Sequence, residues 1–370
     1  MIASTVQGDK WKNIAWTLFK NLVESKTEDM EAVGFFKEAT MLKVKEHVSD
    51  LIPLDVADKI MRLFSYEKYS VMKAIMIDLA KNENFEDYKA YINDPVSYAR
   101  KWIMAITNKT IFEESIGDQT QYCKLADYRL RTICTQLEKS ILNSTKECEG
   151  KENVGLCQWI DTFLTDITIS AVLPLPKDTF VHIKDRAISD LAYMNRVLVE
   201  EMGNMKHDII KDFAETTKLT VKWKQNVVSI IMDKIWGCEE KCMFCNEPCK
   251  NTDKSHVSDN IDHHCIQHRP NGIGGFRKTS DKSFSVEFCN SLIQSTNRYS
   301  IKGSAYKDYK EYKTHYPDWY IQPTYDTSKY WMYVLCKYQH QLKDLQCSTL
   351  PHLPTTWYNI TKEEAIDSLS

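Results

Sequence analysis

The chain has 370 residues, 43% of them hydrophobic and 27% charged, with a formal net charge of −3. That length accommodates two or three domains with a sizeable buried core, and the balance is that of a globular protein rather than a disordered or fibrous one. The slightly acidic charge argues against a protein that lives by wrapping nucleic acid, which usually carries a clear basic excess.

Met1-Ile2-Ala3-Ser4-Thr5 shows no charged flank ahead of an apolar run, so no secretory signal is expected. No stretch approaches the ~18 apolar residues of a membrane span. Residues 167–175 are apolar but short, are interrupted by Thr168 and Ser170, and run into Pro174, which reads as a buried segment ending at a turn. The expectation is a soluble intracellular protein, cytoplasmic or also nuclear.

The first two-thirds reads as helix after helix. Trp11, Ile14, Ala15, Leu18 and Leu22 recur at helical spacing, and residues 71–79 are apolar almost all round. Phe85, Tyr88 and Ile92 form a stripe that stops at Asp94-Pro95, and Tyr98, Trp102 and Ile106 resume it beyond the proline. Tyr122, Ala126, Leu130, Ile133, Leu137 and Ile141 make the cleanest amphipathic helix, and residues 186–202 and 205–213 continue the pattern. Sustained period-two alternation is absent, which predicts a mainly α fold, a multi-helix bundle or array. Near the end, Thr361-Lys362-Glu363-Glu364 is a capping box for a last helix.

Composition shifts at Trp236-Gly237, and the divisions expected are a helical region (1–235), a Cys/His module (236–278) and an aromatic-rich helical C-terminal region (279–370). The middle segment is poor in periodic apolar residues and needs another source of order. It holds Cys238, Cys242, Cys245, Cys249, His256, His263, His264, Cys265 and His268. Clustered cysteines interleaved with histidines, in a chain without a signal, point to metal rather than disulfides. Cys242-Met243-Phe244-Cys245 and Cys265-Ile266-Gln267-His268 have knuckle spacing, each presenting two donors to one Zn²⁺. Cys238, Cys249, His256 and one of His263 or His264, with His264 the residue expected, leave donors for a second ion. The remaining cysteines, Cys289 among them, read as small core residues.

The chemistry expected is structural. After His264 stands Cys265, where a zinc protease needs a glutamate base, and a deaminase His-x-Glu signature is missing. With thiolates filling the shell, no position is left for a reacting water. No phosphate-binding loop occurs, since Gly150-Lys151 is followed by Glu152. A cross-braced ubiquitin-ligase domain would end on a further cysteine pair, and a nucleic-acid knuckle would want more basic residues than Arg269, Arg277 and Lys278; these stand as alternatives. The Tyr306, Tyr309, Tyr312 series, interleaved with Lys307, Lys310 and Lys313, reads as a solvated helix with one aromatic side packed.

The string Gly237-Cys238, Lys241-Cys242-Met243-Phe244-Cys245, Pro248-Cys249, His256, His264 and His268-Arg269-Pro270-Asn271-Gly272 with Gly275 resembles the C-terminal part of the interferon-induced very large GTPases. Tyr316-Pro317-Asp318-Trp319, Tyr330-Trp331, Trp357 and Ile360-Thr361-Lys362-Glu363-Glu364-Ala365 are similar as well, and Met243 stands where relatives are expected to carry proline. In that family a large GTP-binding domain precedes this region, and nothing in this chain matches it. The resemblance therefore implies a non-catalytic, zinc-bearing part of a cytosolic immune GTPase, one that binds no GTP itself. Its expected role is a scaffold for self-assembly or protein partners in innate immunity.

Overall fold

The computed structural model describes residues 2–117, 119–149, 155–184, 186, 190–278, 280–301, 305–324 and 327–369. Within these, the side chains of residues 2–16, 19–26, 28, 115 and 116 are outside the described set. Trp11, Ile14, Ala15 and Leu22 of the first expected stripe therefore lie outside it, as do Gly150, Lys151 and Glu152, while Leu18 is exposed.

The fold is mainly α. The helices are α1 (Ile2–Leu63), α2 (Lys68–Asn82), α3 (Phe85–Asn93), α4 (Pro95–Asn108), α5 (Gln121–Cys148) and α6 (Leu156–Ser170). They continue with α7 (Leu191–Ala214), α8 (Val227–Ile231), α9 (Cys289–Leu292), α10 (Tyr312–His315), α11 (Lys329–Leu345) and α12 (Lys362–Asp367). Among the described residues, two antiparallel pairs of two-residue strands join them: β1 (Ser115–Ile116) with β2 (Gln119–Thr120), and β3 (Arg298–Tyr299) with β4 (Lys307–Asp308). Chain contacts divide into two compact units. Unit 1 is Met1–Val56 with Asn108–Gln225, and unit 2 is Ala57–Thr107 with Asn226–Ser370.

Unit 1 is built from helical stripes. On α5 the predicted Tyr122, Ala126, Leu130, Ile133, Leu137 and Ile141 are all buried. On α6 the buried set is Leu156, Trp159, Ile160, Phe163, Leu164 and Ile167, the three-and-four spacing that puts every side chain on one face. Phe36 of α1 meets Trp159 at 5.6 Å and Phe163 at 5.1 Å edge-on, and Phe180 face-on at 4.6 Å. These offset and edge geometries suit the ring quadrupoles. Polar atoms in this core find partners: the Trp159 indole donates to Thr145 Oγ1 at 3.1 Å, and Ser140 donates to Asp166 at 2.6 Å. The segments read as 186–202 and 205–213 are one helix, α7, which starts only at Leu191. There the Asp190 carboxylate accepts from the Tyr193 amide and fixes the first turn.

Unit 2 begins with the α2, α3 and α4 segments that the proline at 95 was expected to separate. Asn84 caps α3, and Asp94 accepts from the Ser97 amide to start α4. Val71, Met72, Ile75, Met76 and Leu79 of α2 are buried, and Tyr330 of α11 donates to the Met76 carbonyl at 2.8 Å. The capping box of α12 forms with both of its bonds, Glu364 amide to Thr361 Oγ1 and Thr361 amide to the Glu364 carboxylate. From Gly237 to the start of α11 the backbone is mostly irregular. The tyrosine–lysine series does not form a single helix. It makes β4, one 3-10 turn (Tyr309–Glu311) and the single turn of α10, because Tyr309 and Tyr312 both turn inward, with ring centroids 4.9 and 6.4 Å from Phe244.

Candidate metal centre

The chain enters the irregular segment through Gly237, whose φ of +59° favours glycine and whose missing Cβ would sit 2.0 Å from the Thr252 carbonyl oxygen. Beyond it, Cys242 to Cys245 forms a tight knuckle. The Cys242 amide donates to the Glu247 carbonyl at 2.8 Å, the Asn246 amide donates back to Cys242 at 2.9 Å, and Asn246 takes the left-handed conformation that closes the turn. Phe244, at the knuckle's tip, is fully buried among Tyr299, Tyr309 and Phe276.

Among the described residues, two groups of donor atoms converge, each with its four ligand atoms within 4.8 Å of one another. The first is Cys242, Cys245, His268 and Cys289, all buried. Cys242 Sγ lies 3.9 Å from Cys289 Sγ, and His268 Nδ1 lies 3.4 Å from Cys245 Sγ and 3.0 Å from Cys289 Sγ. The edges of a zinc tetrahedron, from ordinary bond lengths, are about 3.8 Å for S···S and about 3.5 Å for S···N. The second group is Cys238, Cys249, His256 and His263, of which only His263 is half-exposed. Cys238 Sγ lies 3.5 Å from His263 Nδ1, and Cys249 Sγ lies 3.7 Å from His256 Nε2. His256 Nδ1 is 2.7 Å from the Ile261 carbonyl, a bond that places the proton on Nδ1 and leaves Nε2 bare toward the sulfurs. His263 is held by main-chain pairing, its amide donating to Asp318 and its carbonyl accepting from Tyr320, with Trp319 against its ring at 4.9 Å.

Six of the eight residues expected from the sequence fall in these groups: Cys238, Cys242, Cys245, Cys249, His256 and His268. Cys265 and His264 do not. Cys265 Sγ is buried beside Cys242 and donates to the Glu247 carbonyl at 3.3 Å. His264 points away from its neighbour, as consecutive residues of extended chain do, and stacks on Tyr320 at 5.6 Å. Cys289 and His263 stand in the two groups as well. His263 was one of two adjacent choices in sequence, and Cys289 arrives from the first turn of α9, with no knuckle partner to mark it.

The donors bear on one another's protons. Burial raises the thiols of Cys265 and Cys289 well above their ordinary range. The Cys242 thiol is also pushed up by burial, but hydrogen bonds from Cys245, Cys265 and Cys289 outweigh this and hold it well below. Burial lowers His268, yet the Cys245 and Cys242 sulfurs carry it up to about 10. One lowered thiol, Cys242, thus stands beside a raised imidazole, His268, among buried thiols that keep their protons, and a divalent cation could take the place of those protons. Lys68, itself buried, donates to the Cys238 carbonyl at 2.6 Å and lies 4.8 Å over the Trp236 ring. Its amine is lowered to about 8, chiefly by burial and against the pull of Cys249 and Cys238. Glu247 and Arg269 form a fully buried ion pair, with the guanidinium between Tyr91 at 5.0 Å and Trp331 at 4.8 Å. The Cys/His segment is thereby fastened to α3 and α11 within unit 2.

Residues 238–369, which include every donor of both groups, match the sequence model of the C-terminal domain of interferon-induced very large GTPase 1. Over that stretch the chain is similar to the C-terminal region of the interferon-induced very large GTPases. It is 24% identical over 301 residues to interferon-induced very large GTPase 1 of Mus musculus, covering 80% of this chain and 12% of that protein. To interferon-induced very large GTPase 1 of Homo sapiens it is 21% identical over 384 aligned positions, covering 94% of this chain and 15% of that protein. The chain thus spans a small part of these relatives' length. No solved structure matches. Among the described residues no helix is long and apolar enough to cross a membrane.

The donor pattern of this stretch is nested. In chain order, Cys242 and Cys245 of the first group stand between Cys238 and Cys249 of the second, and His256 and His263 of the second precede His268 and Cys289 of the first. Pairs do not alternate as they do in a cross-brace.

Proposed function

We propose that the C-terminal part of this chain is a structural module holding two zinc ions. Cys242, Cys245, His268 and Cys289 are the ligands of one ion, and Cys238, Cys249, His256 and His263 of the other. The module is non-catalytic and serves as a scaffold for self-association or protein partners in an innate immune setting, as the names of the relatives suggest. The observation that carries the reading is that each group supplies four protein donors at separations near tetrahedral edges, so no vertex is left for a reacting water. Zinc fits better than a hard cation, because the donors are sulfur and imidazole without a carboxylate. Each ion would contribute on the order of 10 kcal/mol to ordering a segment that has few helices of its own.

Native mass spectrometry of the purified chain should show two zinc ions, and chelation should open residues 238–321 to protease while α5, α6 and α7 stay resistant. A folded, metal-free chain with freely titratable sulfurs would overturn the proposal. Self-association should appear as a mass above one chain in light scattering, and a strict monomer would leave the scaffold resting on other protein partners.

A further inference from the structure

Beside the knuckle, unit 2 has an open groove of about 1370 Å³ between the 274–287 loop and the β3–β4 ribbon. That exceeds the roughly 300–1,000 Å³ of ordinary small-molecule pockets, so it has room for a segment of polymer rather than only a single small ligand. Arg277, Lys278, Lys282 and Arg298 line it, with Glu287 the acidic residue among the lining side chains. Lys278 pairs with Glu287 at 3.0 Å and Arg298 with Asp308 at 3.1 Å. Among the described residues no carboxylate pairs with Arg277 or Lys282, and both are exposed. On a chain whose formal charge is −3, this is a local basic surface rather than a share of a general excess.

Flat rings interleave with the charges. Tyr306 is 50% exposed at the groove's edge, and its carbonyl accepts from Arg298 at 3.0 Å. Phe276 is half-buried, its ring fixed edge-on against Phe244 of the knuckle at 5.9 Å. Cations that track a backbone and aromatic faces that accept bases are the two components of sequence-tolerant single-strand binding. An acidic peptide would use the cations and leave the rings idle. We propose that this groove binds single-stranded nucleic acid, with Arg277 and Lys282 on phosphates and Tyr306 and Phe276 under bases. The fold creates a feature the sequence concealed: it takes Arg269 into the core and brings Lys282 and Arg298 alongside Arg277 and Lys278.

The test is fluorescence anisotropy of the full chain as purified with a labelled oligouridylate, and it reads the groove whatever the metal content proves to be. With two or three phosphates neutralised, affinity should fall about tenfold for a fourfold rise in salt. Arg277→Glu with Lys282→Glu, both exposed and unpaired, should weaken binding at least about tenfold at low salt, and Tyr306→Ala by about the same factor. The same charge change in unit 1, Lys211→Glu with Lys222→Glu, should leave it unaltered. Absence of binding overturns the proposal, as does affinity that the groove variants do not change. Heparin or polyglutamate binding as tightly as the oligonucleotide, with Tyr306→Ala without effect, also overturns it and assigns the groove to polyanions without bases.

Discussion

At the centre of unit 1 the rings of Phe36, Trp159, Phe163 and Phe180 meet among helices, whereas at the centre of the C-terminal segment of unit 2 stand buried cysteines and histidines. The first core follows from spacing, since a helix with an apolar residue every third or fourth position needs only another such face to bury it. The second cannot arise so, because residues 238–268 have no such period. Its sulfurs do have an apolar surround, but it is borrowed from later in the chain: Leu292, Ile293, Tyr299, Tyr309, Tyr312, Trp319 and Ile321 cluster with Cys238, Cys242, Cys245, Cys249, Cys265 and Cys289. A thiolate in such a place, like that of Cys242, is costly without a counter-charge. Periodic helices order themselves by burial, while loops with converging donors would, on the proposal above, hold together through a bound metal.

The largest effect should come from breaking the donor set itself. Cys289→Ser should lower the zinc content by one ion and cost on the order of 10 kcal/mol of stability in the segment. Cys265→Ser, which removes only a buried thiol bonded to a carbonyl, should keep both ions. Likewise His263→Ala should lose an ion that His264→Ala retains. Zinc counts in the reverse order would return Cys265, suggested by knuckle spacing, and His264, one of two adjacent choices, to the ligand set.

Those paired residues mark where the sequence could be read and where it could not. The stripe of α5, the stop at Asp94-Pro95 and the α12 capping box were legible because each depends on residues within about two turns of one another. The first knuckle, Cys242 and Cys245, was legible for the same reason. Cys289 was not: it reaches His268 only after the chain has run out through the 271–275 turn and returned, pairing Pro270 with Phe288. Nor does spacing decide between His263 and His264, because adjacent residues of extended chain face opposite ways and only pairing with residues 318–320 selects one. The unbroken length of α1, which runs through Pro53, was likewise hidden.

A middle-sized effect should come from the other core. Phe163 is wholly buried, stacked on Trp159 at 5.6 Å and edge-on to Phe36 and Phe180. Phe163→Ala should cost about 3–5 kcal/mol in unit 1, read as a lower urea midpoint of helical circular dichroism. Its zinc content should stay at the wild-type value. Loss of metal in this variant would show that the two sources of order are not separate.

The smallest effect belongs to charges at the surface. Glu83, the C-cap of α2, takes Lys337 of α11 at 2.7 Å and Lys362 of α12 at 3.2 Å. Hydrogen bonds from Lys337 and then Lys362 hold its carboxyl at about 2, below the usual 4.5. A depressed folded-state value means that the contribution is fully present above about pH 4.5 and fades as pH falls toward about 2. Zinc bound as proposed would be displaced by protons at acid pH too, so the informative quantity is a difference. The gap in Tm between wild type and Glu83→Gln should be small, because the group is solvated, and should narrow between about pH 6 and about pH 3. A gap that stays constant across that range would mean the lysines gain nothing from the carboxylate's charge.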